Sequence, residues 1–580
     1  MTQDHSKIEA DRQRLKDAQA KGTAATLRAF IGLSGPGWLQ SAITLGGGSL
    51  AGALFLGALG GVSMLWLQLV AILLGVIMLS AISYVTLSTG QRPFQAINTH
   101  INPALGWGWL IATSLANMIW CMPQFSLSFA ALEKNLLPGK IGGTDGWKLG
   151  VSAVVLALVS GVVAMNARRG LAAKVFDWLL KGLVGMVVIC FFGVVTFLSA
   201  KGLLNWGEIF AGFVPDFGQW NAPSGKVAEL IAGLPEDLQS FWSERVVTQQ
   251  RARMIGAAAT AVGINMTFLM PYSMLHRGWD KPFRGLARFD LCTGMAIPYI
   301  VVTSCVVIAS AHAFNGKADE KFLSSNPVEF QESPSFGGTK NVLLVRVDPE
   351  FAGNKFDDVV KTMSAADKDA LVLKMADLPT DEKLIAASMV QRNAKDLAQT
   401  LAPLIGSQRA NLIFGLGVFG MGFSTIIILM LINGFVFCEA VGKPNSVGPY
   451  VVGCLVAGLA GMLWPLFWAG PSRFWLAIVA SSFGMMLLPI AYITFFMMMN
   501  SRSLMGREKP TGGRMAVWNV LMGVAVLGAV VAAAGAIWEK IRDTSTPLAA
   551  MGGKVVLGIL VVYILLIVIG FIAKAKARAE

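Results

Sequence analysis

Two short polar clusters interrupt long apolar runs of this chain, and both carry groups that could bind a small polar solute or a metal ion. One is TLGGGSL at residues 44–50, and the other is GINMTFLMPYSML at residues 263–275. Glycine lets a ligand approach the backbone closely, while hydroxyl, amide and thioether groups can form bonds to it. The predicted substrate-binding residues are Thr44, Gly46, Gly47, Gly48, Ser49, Asn265, Thr267, Met270, Tyr272 and Ser273, with Met270 also a candidate metal ligand.

Both clusters predict a break in a helix. A glycine inside a helix costs roughly 1 kcal/mol relative to alanine, so three in a row favour an interruption. In the second cluster we expect Gly263 and Pro271 to interrupt the helix, because proline lacks an amide donor and clashes with the preceding turn. The amides freed at such a break carry partial positive charge, which favours an anionic or neutral polar solute.

The composition indicates that the elements around these clusters cross a membrane. Of the 580 residues, 54% are hydrophobic and 14% are charged, and the mean hydropathy is +0.61. Soluble domains carry about 25% charged residues, so the chain is typical of an integral membrane protein. The net charge of +13 does not indicate nucleic-acid binding, because the basic residues lie in short loops between apolar runs.

About twelve apolar runs are long enough to cross a hydrocarbon core of ~30 Å. We number them spans 1 to 12, in the order 29–59, 62–88, 105–132, 149–166, 176–200, 254–276, 289–313, 409–438, 447–469, 473–499, 515–537 and 555–574. The predicted regions are a tail at 1–28, spans 1–7 within 29–313 with a loop at about 201–253, a soluble insert at 314–408, spans 8–12 within 409–574, and a tail at 575–580.

Basic loops predict the orientation of the chain. NARRGLAAK at 166–174, HRGWDKPFRGLAR at 276–288 and SRSLMGREKPTGGR at 501–514 all fall on the side of the N-terminus and of the basic C-terminal tail. Since cytoplasmic loops are rich in Lys and Arg, we expect both termini to be cytoplasmic in a plasma or inner cell membrane. The insert and the loop at 201–253 then lie outside.

The insert has its own pattern of predicted elements. NVLLVRVD at 341–348 is expected to be a strand, and the segments 364–375 and 380–401 are expected to be amphipathic helices. Ser364 and Asp367 resemble a capping box at the start of the first helix. The insert is either an external cap or docking surface, or a tolerated loop insertion.

The two breaks lie five spans apart, in spans 1 and 6. Corresponding breaks in two five-span halves indicate an inverted-repeat transporter whose binding site is near the middle of the bilayer. The odd offset also gives the two halves opposite orientations, as that architecture requires.

The residues around both breaks resemble the natural resistance-associated macrophage protein (Nramp) family of divalent metal transporters. LMPYSML at 269–275 looks like that family's sixth helix with its Met-Pro-His motif, and GPGWLQSAITLGGGS at 35–49 is similar to its first helix. LPIAYITFFMMMNSRSLMG at 488–506 is similar to the end of its tenth helix. The resemblance implies an all-α membrane protein with LeuT-like inverted five-helix repeats, broken helices 1 and 6, and a divalent cation as substrate.

This chain departs from the family at the residues that bind metal. The family's Asp-Pro-Gly-Asn motif falls on Gly46 to Ser49, its methionine is kept as Met270, and its histidine is replaced by Tyr272. Residues 18–132 contain no Asp or Glu, although sites for hard cations normally include a carboxylate. The sequence therefore argues against strong Mn²⁺ or Fe²⁺ binding by the usual ligands, and against the usual proton coupling.

Three functions remain open from the sequence. The first is a metal carrier of altered selectivity, for a largely hydrated ion such as Mg²⁺, with or without a coupling ion. The second is a carrier of an anionic or small polar organic solute, and the third is a non-transporting receptor or scaffold. We expect no enzymatic activity and no cofactor, because the sequence has no catalytic motif in a suitable context.

Overall fold

The computed structural model describes residues 5–167, 171–392, 396–398, 402, 406–444, 446–467, 475–542 and 547–579. Within these ranges the protein is helical and contains no strand, which confirms the all-α prediction. Ten helices among the described residues are long and apolar enough to cross a membrane. Parts of some predicted segments lie outside the described residues: both tails, the loop at 166–174, the insert segment at 380–401, the end of span 9 and the start of span 10.

Ten of the twelve predicted spans are helical without an extended break. Their bounds are Trp66–Thr89 for span 2, Pro103–Ala131 for span 3, Asp145–Ala167 for span 4, Leu171–Ala200 for span 5, Arg284–Phe314 for span 7, Ser407–Ala440 for span 8, Val447–Met462 for span 9, Trp475–Asn500 for span 10, Gly512–Arg542 for span 11 and Pro547–Ala579 for span 12. Two further helices, His5–Ala20 and Thr23–Leu33, precede Pro36, and the second of them includes residues 29–33 of the predicted span 1.

Spans 1 and 6 are the two broken helices, as predicted. Span 1 consists of Pro36–Thr44 and Gly47–Gly60, joined through Leu45 and an extended Gly46. Span 6 consists of Glu236–Ala261 and Ile264–His276, joined through Val262 and Gly263, which are both extended. The prediction of a second interruption at Pro271 is wrong, because the helix Ile264–His276 continues through it.

Contacts between loops place both ends of the chain on one side of the molecule, which we call the terminal side. Arg12 of the N-terminal helix pairs with Asp280 after span 6 at 2.6 Å. Lys281, in the same loop, pairs with Glu508 after span 10 at 2.6 Å. Near the C-terminus, Lys574 donates to the Thr99 carbonyl between spans 2 and 3 at 2.6 Å. The opposite side, which carries the insert, is called the insert side.

The insert forms a helical unit whose core is shared with span 1. Its helices are Glu320–Leu323, Pro327–Glu332, Phe336–Val347, Phe356–Thr362, Ala365–Ala376 and Thr380–Ser388. The aromatic side chains of Phe322, Phe330 and Phe336 pack in one cluster with Phe55 and Leu59 from the second half of span 1. The insert is therefore packed directly onto the membrane-spanning part of the protein.

Two predictions about the insert are wrong and one is confirmed. The segment NVLLVRVD is not a strand: all of it except Asp348 lies in the helix Phe336–Val347, which buries Leu343 and Leu344. The helix predicted over 380–401 ends at Ser388. The helix Ala365–Ala376 begins as expected, since the Ser364 hydroxyl accepts a hydrogen bond from the Asp367 amide at 3.2 Å.

A buried carboxylate fixes the start of span 1. Asp290, at the beginning of span 7, accepts hydrogen bonds from the Ser34 hydroxyl at 2.6 Å and from the Gly35 and Gly37 amides at 3.1 and 2.7 Å. Asp290 is completely buried. The first amides of a helix have no partner within it and carry partial positive charge, so a carboxylate is well suited to this position.

We expect Gly37→Ala to destabilise the protein by about 1–3 kcal/mol, as overpacking of a filled site does. A Cβ at Gly37 would lie 2.0 Å from the Asp290 carbonyl oxygen, so the two backbones would have to separate. The matched control is Gly52→Ala in the same span, where a Cβ meets nothing within 4 Å. Thermal unfolding in detergent measures both variants, and equal melting temperatures would contradict the assigned role of this contact.

Candidate functional site

The two breaks lie against each other in the interior of the protein. The Gln40 side-chain amide, from the first half of span 1, donates to the Met266 carbonyl at 3.2 Å. The Thr44 hydroxyl lies 3.5 Å from the Met266 sulfur. All three residues are buried. The last turn before the first break thus meets the first turn after the second break, as expected for a site between inverted repeats.

Side chains from spans 3 and 8 bind the backbone groups that the first break releases. The Gly47 amide donates to Gln124 Oε1 of span 3 at 3.0 Å. The Ser424 and Thr425 hydroxyls of span 8 donate to the Ala42 carbonyl at 3.1 and 3.0 Å. Because unpaired backbone groups in hydrocarbon cost several kcal/mol each, these partners make the break possible.

Close packing favours glycine at both breaks. A Cβ at Gly46 would lie 3.0 Å from Thr425 Oγ1 and 3.1 Å from the Ile43 carbonyl oxygen. A Cβ at Gly263 would lie 2.3 Å from the Trp120 ring. Larger residues therefore require a neighbour to move, most severely at Gly263.

Hydroxyl and amide groups line the second break. The Thr267 hydroxyl donates to the Ile264 carbonyl at 2.5 Å and accepts from the Trp109 indole at 2.9 Å. Asn265 Oδ1 accepts from the Met266 amide at 2.8 Å. Both side chains therefore form hydrogen bonds to neighbouring protein groups. The Asn265 Nδ2 group has no such partner among the described residues and could bind a solute.

Several buried polar atoms on spans 1, 3 and 6 have no hydrogen-bond partner among the described residues. They are Gln40 Oε1, Ser41 Oγ, Thr113 Oγ1, Asn117 Oδ1 and Nδ2, and Asn265 Nδ2. Buried polar groups are rarely left unpaired, so this concentration is unusual. Asn117 lies two helical turns before Gln124, and therefore on the same face of span 3. These atoms give the centre of the protein unused donors and acceptors that bear no charge.

The described residues contain no group of three or more His, Cys, Asp or Glu side chains that could hold a metal ion. The buried acids have other partners. Asp290 binds the start of span 1, and Glu439 of span 8 pairs with Arg92 at 2.6 Å. The available ligands near the breaks are consequently neutral oxygens and the Met266 sulfur.

The structure separates the predicted site residues into two groups. Thr44, Gly46, Gly47 and Ser49 surround the first break, where the Ser49 hydroxyl donates to the Thr44 carbonyl at 2.5 Å. Asn265 and Thr267 lie at the second break, and Gly48 is partly exposed in the first turn after Gly46.

The remaining three residues lie further along span 6. Met270 is fully buried almost two turns beyond the break, and Ser273 donates to the Met270 carbonyl at 2.9 Å. Tyr272 stacks on Phe268 with 4.3 Å between ring centroids, and its hydroxyl accepts from the Phe94 amide at 3.2 Å. Tyr272 therefore belongs to contacts between span 6 and the loop after span 2.

Sequence reasoning missed the side chains that reach the breaks from elsewhere. Gln40, Asn117 and Gln124 are polar residues in the middle of apolar runs, and such residues in membrane helices usually face the interior. A polar residue within an apolar run could therefore have identified all three. Nothing in the sequence distinguishes Met266 from the other methionines of the chain.

We expect Gln124→Leu to lower stability by about 1–3 kcal/mol, the cost of an unsatisfied buried amide at Gly47. Gln124→Glu keeps an oxygen at the position of Oε1 that can accept this bond, so it should retain more of the stability than the leucine variant. Thermal unfolding of both variants in detergent measures the difference. A leucine variant as stable as the parent would mean that the Gly47 amide has another partner.

Comparisons with known proteins agree with this architecture. The family model described as natural resistance-associated macrophage protein-like matches residues 37–344 and 380–539. Crystal structures of two mutants of the Eremococcus coleocola manganese transporter are similar to this chain, each with a TM-score of 0.62 and 14% identity over 94% of this chain and 95% of theirs. No curated protein matches the sequence significantly.

At that identity the structural likeness shows the fold, and the family model shows the relationship. Its match includes both broken spans and every residue placed at the breaks, while residues 345–379 of the insert lie outside it. The chain therefore belongs to the natural resistance-associated macrophage protein-like family and is a multi-pass membrane transporter.

Proposed function

We propose that the protein carries a divalent metal cation and binds it where the breaks of spans 1 and 6 meet. Family membership supports this class of substrate, and the similar solved structures are of a manganese transporter. The observation that carries the proposal is the contact of Gln40 and Thr44 with Met266, beside polar atoms that have no other partner.

The ligand chemistry favours an ion that keeps most of its water. Amide, hydroxyl and carbonyl oxygens are ligands for hard cations, but without a carboxylate they compensate poorly for removing the water shell of a dication. Mg²⁺ gives up water reluctantly and usually keeps several water molecules when bound. A site of neutral oxygens that hydrogen-bond to these waters therefore suits Mg²⁺ better than a fully coordinated Mn²⁺ or Fe²⁺.

We further propose that no carboxylate at the breaks couples transport to protons. Residues 18–132, which include spans 1 to 3, contain no acid. Asp290 and Glu439 are each bound to structural partners on the terminal side. The basic loops support an orientation with the terminal side in the cytoplasm, in a plasma or inner cell membrane.

Uptake into proteoliposomes tests the substrate class directly. We expect saturable uptake of Mg²⁺, with Mn²⁺ transported less efficiently and without a requirement for a proton gradient. Saturable Mn²⁺ uptake at micromolar affinity would contradict the reasoning from neutral ligands. Uptake of an organic anion with no metal flux would instead support the carrier of an anionic or polar solute, an alternative that the comparisons do not favour.

Gly46→Asp restores a carboxylate at the break, and we expect it to tighten Mn²⁺ binding by about tenfold, which corresponds to about 1.4 kcal/mol. Gly46→Ala is the matched control, because it makes the same close contacts with Thr425 and Ile43 without adding charge. Isothermal titration with Mn²⁺ compares the two variants. Equal affinities would show that position 46 does not face the ion.

A further inference from the structure

A cavity on the terminal side lies apart from both breaks and combines cationic, polar and apolar walls. It encloses about 450 Å³ between the loop after span 2, the end of span 10 and the end of span 12. Its polar walls are formed by His100, Asn500, Ser501 and Lys574, and its apolar walls include Met497 and Phe571. We call it the headgroup pocket.

Specific contacts hold the walls of this pocket together. The Asn102 side-chain amide donates to the Ile567 carbonyl at 2.8 Å, and a Cβ at Gly570 would lie 2.4 Å from Asn102 Oδ1. Lys574 donates to the Thr99 carbonyl at 2.6 Å. Span 12 is thus fixed against the loop that carries His100, so the pocket is a built feature of the fold.

The charge of the pocket is positive. An ammonium group and an imidazole face it, and no carboxylate is among its lining residues. Burial and the nearby Lys574 lower the pKa of His100, which indicates that the two groups are close enough to repel each other when both are charged. The acids described near this side bind elsewhere: Glu508 pairs with Lys281 and Arg284, and Asp280 pairs with Arg12.

The position of span 12 distinguishes a lipid from a soluble ligand. The most apolar stretch within Met551–Lys576 has no buried residue, so much of this helix is left exposed toward the hydrocarbon. Phe571 is 36% exposed and Ile572 is 52% exposed, next to the pocket. An acyl chain can therefore follow span 12 from a headgroup held by the polar walls.

We propose that the headgroup pocket binds the phosphate of an anionic phospholipid from the leaflet on the terminal side. Lysine and histidine supply donors to phosphate oxygens, and basic pockets between membrane helices recognise lipid headgroups in this way. The shared chemistry is a phosphate group, and the exposed face of span 12 favours a lipid over a free phosphate ion.

Native mass spectrometry of the full-length protein, supplied with phosphatidylglycerol or phosphatidylcholine, tests the proposal. The double variant His100→Gln with Lys574→Gln should retain phosphatidylglycerol at least about fivefold less than the parent, the factor expected for one lysine near a membrane surface. The single variant Lys574→Arg keeps the positive charge, so it should retain phosphatidylglycerol as well as the parent does. The matched control Lys576→Gln removes the same charge from an exposed residue outside the pocket and should change retention less than twofold.

A second variant keeps the test decisive if the double variant does not fold. Met497→Trp fills the pocket without a change in charge, so it should also reduce retention of phosphatidylglycerol. An equal loss with Lys576→Gln, or full retention with Met497→Trp, would overturn the proposal in favour of diffuse attraction to the basic tail. Two results together would instead identify a site for a soluble phosphate: millimolar inorganic phosphate displaces the lipid, and it raises the melting temperature of the protein as much as phosphatidylglycerol does.

Discussion

The pairing of the backbone groups released at the two breaks is the constraint on which this structure depends. In hydrocarbon no water molecule is present to form these hydrogen bonds, so other spans must form them. Gln124 of span 3 binds the Gly47 amide, and Ser424 and Thr425 of span 8 bind the Ala42 carbonyl. Glycine at 46 and 263 allows these neighbours to come close enough. The proposed binding region at the two breaks therefore depends on four spans, since spans 3 and 8 supply partners to the backbone of span 1.

Two buried acidic residues, Asp290 and Glu439, hold parts of the scaffold together. Asp290 binds the amides at the start of span 1, and Glu439 pairs with Arg92 beneath Tyr272. A carboxylate at a helix start stabilises it through the partial charge of the unpaired amides. Among the described residues, the polar side chains at the two breaks are therefore neutral.

The sequence predicted the features that depend on local physics and missed those that depend on packing. Three glycines in an apolar run were sufficient to predict the break in span 1, and Gly263 correctly marked the break in span 6. The offset of five spans between the two breaks then predicted the inverted repeat. Pro271 was wrongly predicted to interrupt span 6, because a proline inside a helix can be accommodated by neighbouring groups. NVLLVRVD was misread as a strand because a short apolar run does not reveal which faces are buried. The contacts of Gln40 with Met266, and of Gln124 with Gly47, join residues far apart in sequence, so no local pattern could specify them.

The packing of the insert onto span 1 has a mechanical consequence. Phe55 and Leu59 share a core with the insert, and the Asn315 side chain at its start donates to the Ala58 and Leu59 carbonyls at 3.0 and 3.1 Å. Ser310 of span 7 also donates to the Leu54 carbonyl at 2.6 Å. The second half of span 1, span 7 and the insert are thus joined by buried contacts and hydrogen bonds. A movement of that half of span 1 would therefore either carry the insert with it or break these contacts.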